Sequence, residues 1–148
     1  PAGCGRLLRT PTRRHPVQLV FQALADRIEQ DRASERFSLV RLTDHIVVPA
    51  FPHVLHALGA LARFQLEPDE AGTIVKATIG LVSDSGKRQH LDQRPRVRSP
   101  LADGHPTIWD FALNLRELTF DEPGKYHIVC RMDADVVAEI PLWVSAAD

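Results

Sequence analysis

The sequence predicts an all-β protein, an antiparallel β-sandwich of two layers with about seven to eight strands. Three observations carry this. Apolar side chains recur at every second position in several separate segments. Clusters of Pro, Gly, Asp and Ser break the chain roughly every 10–15 residues, the punctuation of short strands. No apolar run approaches the roughly 18 residues of a membrane span; the longest, Ile46 to Phe51, is broken by Pro49. With 148 residues, 44% apolar and 25% charged, the composition is that of one globular domain, expected over residues 17–148.

The first third carries two periodicities. Val17, Val20, Phe21, Leu24 and Ile28 fit helical spacing, and the Ala/Leu-rich stretch 53–64 fits it too. Against this, Phe37 to Val48 is rich in β-formers, and Ala60, Ala62, Phe64 and Leu66 alternate with Leu61, Arg63, Gln65 and Glu67. Strands are the favoured reading in both places, with one short helix over 17–30 as the alternative.

The middle and end are plainer. Val75, Ala77, Ile79 and Leu81 alternate with polar or small residues up to the turn Ser83-Asp-Ser-Gly86, after which 87–91 pairs back as a short strand and a Pro-bounded loop spans 95–106. Trp109, Phe111, Leu113 and Leu115 occupy odd positions, whereas Leu118 and Phe120 occupy even ones, so a β-bulge is expected at Arg116-Glu117. Asp121-Glu-Pro-Gly124 is a strong turn, because Pro presets φ and Gly accepts φ > 0. Residues 107–120 and 125–133 therefore read as a hairpin, the second strand burying Tyr126, Ile128, Cys130 and Met132. Asp133 to Val136 supplies a turn into a last strand that buries Ile140, Leu142 and Val144. Pro141 has no amide donor, which predicts an edge or a bulge there.

Residues 1–16 hold Arg6, Arg9, Arg13 and Arg14 with three prolines and no acid, and read as a basic, poorly ordered arm. The full chain carries 18 Lys+Arg against 19 Asp+Glu, so removing the four arginines of the arm leaves residues 17–148 at −5. Two cysteines on unlike segments make no disulfide framework and predict a reducing, cytoplasmic setting. The preference for arginine over lysine suggests a GC-rich bacterial genome.

Particular stretches resemble a bacterial family of small, uncharacterised β-sandwich domains of unknown function. Ala25-Asp-Arg-Ile-Glu-Gln-Asp31 followed by Phe37 to Pro52 is similar to its opening, and Leu81-Val-Ser-Asp-Ser-Gly86 to its central turn. Leu113 to Phe120 with Pro123-Gly-Lys-Tyr126 resembles its closing hairpin, and Ile140-Pro-Leu-Trp-Val144 its final strand. The resemblance spans roughly residues 17–145 and implies an immunoglobulin/C2-like two-layer sandwich, with strands in the first third; it brings no activity. Pro123-Gly-Lys-Tyr126 also resembles the tyrosine corner of immunoglobulin-like domains, in which a cysteine follows the tyrosine by two positions. Here Cys130 follows by four and has no strand partner cysteine, which excludes the immunoglobulin disulfide.

Candidate chemistry is sparse. His45, His53 and His56 are the densest histidine group and the candidate metal ligands. Yet a His-x-x-His pair shares a face only on a helix, and on a strand it points to opposite faces. Acids at the turns (Asp69-Glu70, Asp84, Asp121-Glu122, Asp133, Asp135) would suit a Ca²⁺- or carbohydrate-binding sandwich if their loops met, but they are also ordinary turn residues. Arg94, Arg96 and Arg98 share a face of an extended segment. Without interleaved aromatics, and on an acidic body, they fit a solvated or protein-facing edge better than nucleic acid. No nucleophile elbow, zinc-protease motif or phosphate loop is present, and Cys130 faces an apolar interior. The expected function is a non-enzymatic binding or scaffold module without a cofactor, docking a protein partner, with a metal-binding, hydrolase-like module or a Ca²⁺/carbohydrate-binding sandwich as the alternatives. Trp109 and Trp143, the arginine stretch and the sheet edges are the docking candidates, although tryptophan is as much at home in a core. A free edge would also allow a second copy to pair.

Overall fold

A computed structural model describes residues 17–34, 36–67, 74–97 and 107–148. Nine strands follow one another: β1 (Gln18–Gln30), β2 (Phe37–Thr43), β3 (His45–Val48), β4 (His53–Leu66), β5 (Ile74–Ser83), β6 (Arg88–Val97), β7 (Thr107–Phe120), β8 (Gly124–Met132) and β9 (Asp135–Ala146). They form a four-stranded sheet in the order β2-β1-β4-β7 and a five-stranded sheet in the order β3-β9-β8-β5-β6. All pairings are antiparallel except β3 with β9, which run parallel. The all-β sandwich is as expected, with more strands, because 37–48 divides into β2 and β3. No helix occurs among the described residues; 17–30 and 53–64 are strands.

The alternating side chains meet between the sheets. Phe64, Leu66, Leu118, Phe120, Met132 and Leu142 are fully buried there. Trp109 lies stacked beside Phe111, with ring centroids 5.9 Å apart, and tilted against Phe64 at 6.0 Å. Aromatic pairs at these separations add about 0.5–1.5 kcal/mol each beyond the area they bury.

Residues 107–120 and 124–132 are not a hairpin. β7 pairs with β4 from His53↔Phe120 to Leu66↔Thr107, whereas β8 pairs with β5 and β9. The Asp121–Pro123 turn carries the chain from one layer to the other. Both strands show the same inward alternation whether they pair side by side or face each other across the core, so periodicity alone does not separate the two cases. The crossing is held by Tyr126, whose hydroxyl donates to Glu122 O at 2.5 Å and whose ring meets Phe120 edge-on at 4.9 Å.

The parity change in β7 occurs without a register shift against β4. Buried residues of β4 switch from Leu58 and its even-numbered successors to the half-buried His53 and Leu55, in step with Leu118 and Phe120 opposite. Glu117 takes a left-handed φ of 55°, and it faces His56 with a 3.0 Å contact between Oε2 and Nδ1. Both strands flip together, which preserves the ladder.

β1 serves two partners in turn. It pairs with β4 over Gln18–Ala25 and with β2 over Leu24–Gln30. Beyond Ala25 it bends across the outer surface of β4 at Gly59, where an added Cβ would stand 2.9 Å from Arg27 C and Ile28 N. From β7, Asn114 reaches over the same glycine. Its amide accepts from Ile28 N at 2.8 Å and donates to Ile28 O at 3.0 Å, replacing ladder bonds the bend removes.

A glutamine ties the sheets at each open side. Gln22 Nε2 donates to Glu139 O at 2.9 Å, linking β1 to β9. Gln89 Nε2 donates to Glu117 O at 2.8 Å, and its Oε1 accepts from Thr119 N at 2.9 Å, linking β6 to β7. Pro141 lies where β9 has β8 on one side and no strand on the other, because β3 reaches only Trp143–Ala146. The missing donor costs nothing there, which is the edge behaviour its residue type predicts.

Candidate functional site

The inward alternation of the five-stranded sheet dictates what its other face presents. With Tyr126, Ile128, Cys130 and Met132 buried, β8 turns Lys125, His127 and Arg131 to the other face, where Val129 shares their parity but is itself buried at 7% exposure. By the same rule β9 presents Glu139, Pro141, Trp143 and Ser145, and β5 presents Lys76, Thr78, Gly80 and Val82. Register sets these side by side: Lys125 beside Trp143, His127 beside Pro141, Gly80 beside Val129 and His90, and Val82 beside Arg88.

Two features stand out on this face. Trp143 is 52% exposed on a regular strand, with Lys125 Nζ 5.4 Å from its ring centroid, a cation–π contact. Val47, 58% exposed, follows it on β3, and His45 is joined to Ser145 Oγ at 2.8 Å. Further along, a hollow of about 160 Å³ opens over Gly80, lined by Thr78, Val82, Val129, Arg88, His90 and Arg131. β5 and β6 shift register there, between Ile79 and Gly80, and a Cβ on Gly80 would stand 3.3 Å from Gln89 O. Arg88 and Arg131 have no ion pair among the described residues.

A larger cleft of about 270 Å³ lies on the β6–β7 side, lined in part by Lys87, Gln89, Asp121, Glu122 and Tyr126. Several of its polar side chains serve the fold. Gln89 is held by β7, Tyr126 by Glu122 O, and Lys87 by Asp121, whose hydrogen bond and charge raise the ammonium above its ordinary pKa of 10.5.

The predicted site residues scatter. Trp109 is 7% exposed and belongs to the core, so its ring is not presented to a partner; it stands on the inward parity of β7. Trp143 is on the surface. Arg94 and Arg96 lie on β6, the outermost strand of its sheet, paired with Ala77 and Val75; Arg98 lies outside the described residues. His53 and His56 are on β4, half-buried and exposed respectively, with His56 engaged by Glu117, while His45 is in the opposite sheet. The three do not converge, and among the described residues no group of three His, Cys, Asp or Glu could hold a metal ion. The acidic turns are also divided. Asp84 follows β5 and donates its N–H to Lys125 O at the end where β7 gives way to Asp121 and Glu122, Asp133 and Asp135 sit where β8 ends, and Asp69-Glu70 fall outside the described residues. The cationic outer face built from Lys125, Arg131, Arg88 and Lys76 was missed. Its only trace in the sequence is the polar parity of each strand, and strand order is what joins those parities.

No curated protein matches the sequence. Among solved structures, the chain is similar to the alkylpurine DNA glycosylase AlkC of Pseudomonas fluorescens, solved bound to DNA containing an abasic-site analogue. The TM-score is 0.48 at 8% identity, over 89% of this chain and 31% of that one. This chain therefore spans about a third of the glycosylase's length. It is also similar to an immunoglobulin-like protein of Pseudomonas aeruginosa, with a TM-score of 0.38 and 16% identity over 89% of this chain and 98% of that one. A family of unknown function, DUF6941, matches residues 20–145, and the chain belongs to that family.

Proposed function

We propose that the chain is a non-catalytic binding module that docks a protein partner on the outer face of its five-stranded sheet. The observation that carries this is Trp143, a large aromatic side chain half exposed on a regular strand, with Val47 exposed on the neighbouring strand opposite Ser145. Solvent exposure of such a ring forfeits part of the roughly 150–250 Å² it would bury, and buried tryptophans dominate the binding energy of protein interfaces. The chemistry of the rest supports the same reading. Cys130 is buried at 4% exposure, and in the larger cleft Lys87 is engaged by Asp121 and Tyr126 by Glu122 O. Two cysteines on unlike segments, Cys4 and Cys130, suit a reducing compartment such as a bacterial cytoplasm.

Site-specific photo-crosslinking in the host cell tests the proposal. A photoreactive phenylalanine in place of Trp143 is expected to capture a defined protein that the same group in place of exposed Ser38, on the other sheet, does not. Identical adducts from both positions, or none from position 143, would contradict it.

A further inference from the structure

We propose that this outer face recognises an acidic segment of the partner protein, whose carboxylates enter the hollow over Gly80 between Arg88 and Arg131. The inference rests on the docking reading above and adds the chemistry of the partner.

Charge is the first argument. Lys76, Arg88, Lys125 and Arg131 point outward from adjacent strands, and of the outward residues named above for β5, β8 and β9 only Glu139 is acidic. The face thus holds four formal positive charges against one negative, on a body (residues 17–148) that carries −5. Such segregation against the overall sign steers a negative partner to one surface and repels it from the others.

The hollow is the second argument. The hollow of about 160 Å³ over Gly80 is lined by the apolar Val82 and Val129 together with Arg88, His90 and Arg131. Each guanidinium offers a planar fork of donors that matches a carboxylate in bidentate fashion. Neither has an ion-pair partner among the described residues. Trp143 and Lys125 lie farther along the same face, where an apolar residue of the segment would cover the exposed ring.

A protein segment fits better than a nucleic acid. Single strands are held by successive aromatic platforms, and this face has one, already covered in part by Lys125. The hollow also combines apolar Val82 and Val129 with Arg88 and Arg131 in its lining, suited to alternating acidic and aliphatic side chains.

The test is amide-resolved NMR of the full chain titrated with a synthetic peptide of alternating Glu and Leu, its Lys-and-Leu counterpart, and an oligothymidylate. The expected result is that the acidic peptide alone shifts amides over Thr78–Val82, Arg88–His90 and Val129–Arg131. Affinity should fall at high ionic strength, and by about tenfold or more in R88Q/R131Q, whose exchanges face solvent and leave the spectrum of the free protein folded. Absence of shifts, shifts confined to other surfaces, equal binding of the basic peptide, or tighter binding of the oligonucleotide would overturn the proposal. If R88E/R131E carrying the photoreactive group at position 143 still captures the same protein in cells, docking stands and the acidic partner falls. If position 143 captures nothing even with both arginines present, the docking reading itself has failed.

Discussion

Gly59 and Asn114 show how single side chains decide the path of a strand. Glycine inside a strand ordinarily weakens it, and replacement by alanine at a neutral site stabilises by about 0.5–1 kcal/mol. At Gly59 the sign should reverse, because the added Cβ would meet the backbone of Arg27 and Ile28 at 2.9 Å. Gly59→Ala is expected to destabilise by about 1–3 kcal/mol in urea unfolding, the usual cost of overpacking. A stabilised variant would mean that β1 does not cross β4 there. Asn114 is the partner of the same bend. Asn114→Ala strips the donor and acceptor from Ile28, and a cost of about 1–3 kcal/mol is expected by the same measurement. Neither role could be read in the sequence. Gly59 sits in an Ala/Leu-rich run where it looks like filler, and its partner Asn114 is contributed by a strand more than fifty residues away.

Among elements, alternation revealed which residues each strand buries but not which strand lies beside it. β5 with β6 was legible, since Ser83 to Gly86 is a tight turn and the chain returns at once. β7 with β8 misled for the opposite reason: Asp121-Glu-Pro-Gly124 is an equally good turn, yet it joins the layers. What differs is Tyr126, which folds its ring onto Phe120 and its hydroxyl onto Glu122 O, and Gln89, which occupies the β7 edge that β8 would otherwise take. Gln89→Ala therefore removes two inter-sheet bonds at once. A loss of about 1–3 kcal/mol is expected, with faster amide exchange at Thr119; unchanged exchange there would refute the tie. The β1–β2 turn carries a pH dependence. Asp31 accepts from Ser34 Oγ at 2.6 Å and from Ser34 N, which lowers its pKa below the ordinary 3.8. A depressed carboxylate stabilises the fold above its unfolded pKa, and that contribution disappears as pH falls through the lower folded value. The Ser34 amide should thus lose protection in acid well before β4, measured by hydrogen exchange.

For the molecule as a whole, two sheets share one apolar core, closed at one side by Gln22 and at the other by Gln89. Cys130, inside that core, should resist thiol reagents in the Cys4→Ser chain until global unfolding; rapid modification under native conditions would contradict the packing. The candidate surface was legible only in part. Trp143 was visible as a polar-parity residue of β9, but Trp109 looked equivalent until its parity was placed inward, and the cations of β5, β6 and β8 belong together only through strand order. The sheet edge offers the competing surface, since Leu19, Val20 and Phe21 are exposed on β1 where β2 no longer covers it. Hydroxyl-radical footprinting of the full chain, alone and in host extract, compares the two directly. Protection of Trp143 and His90 with Leu19–Phe21 still labelled is the result expected here; protection of Leu19–Phe21 with Trp143 labelled as freely as before would contradict the account.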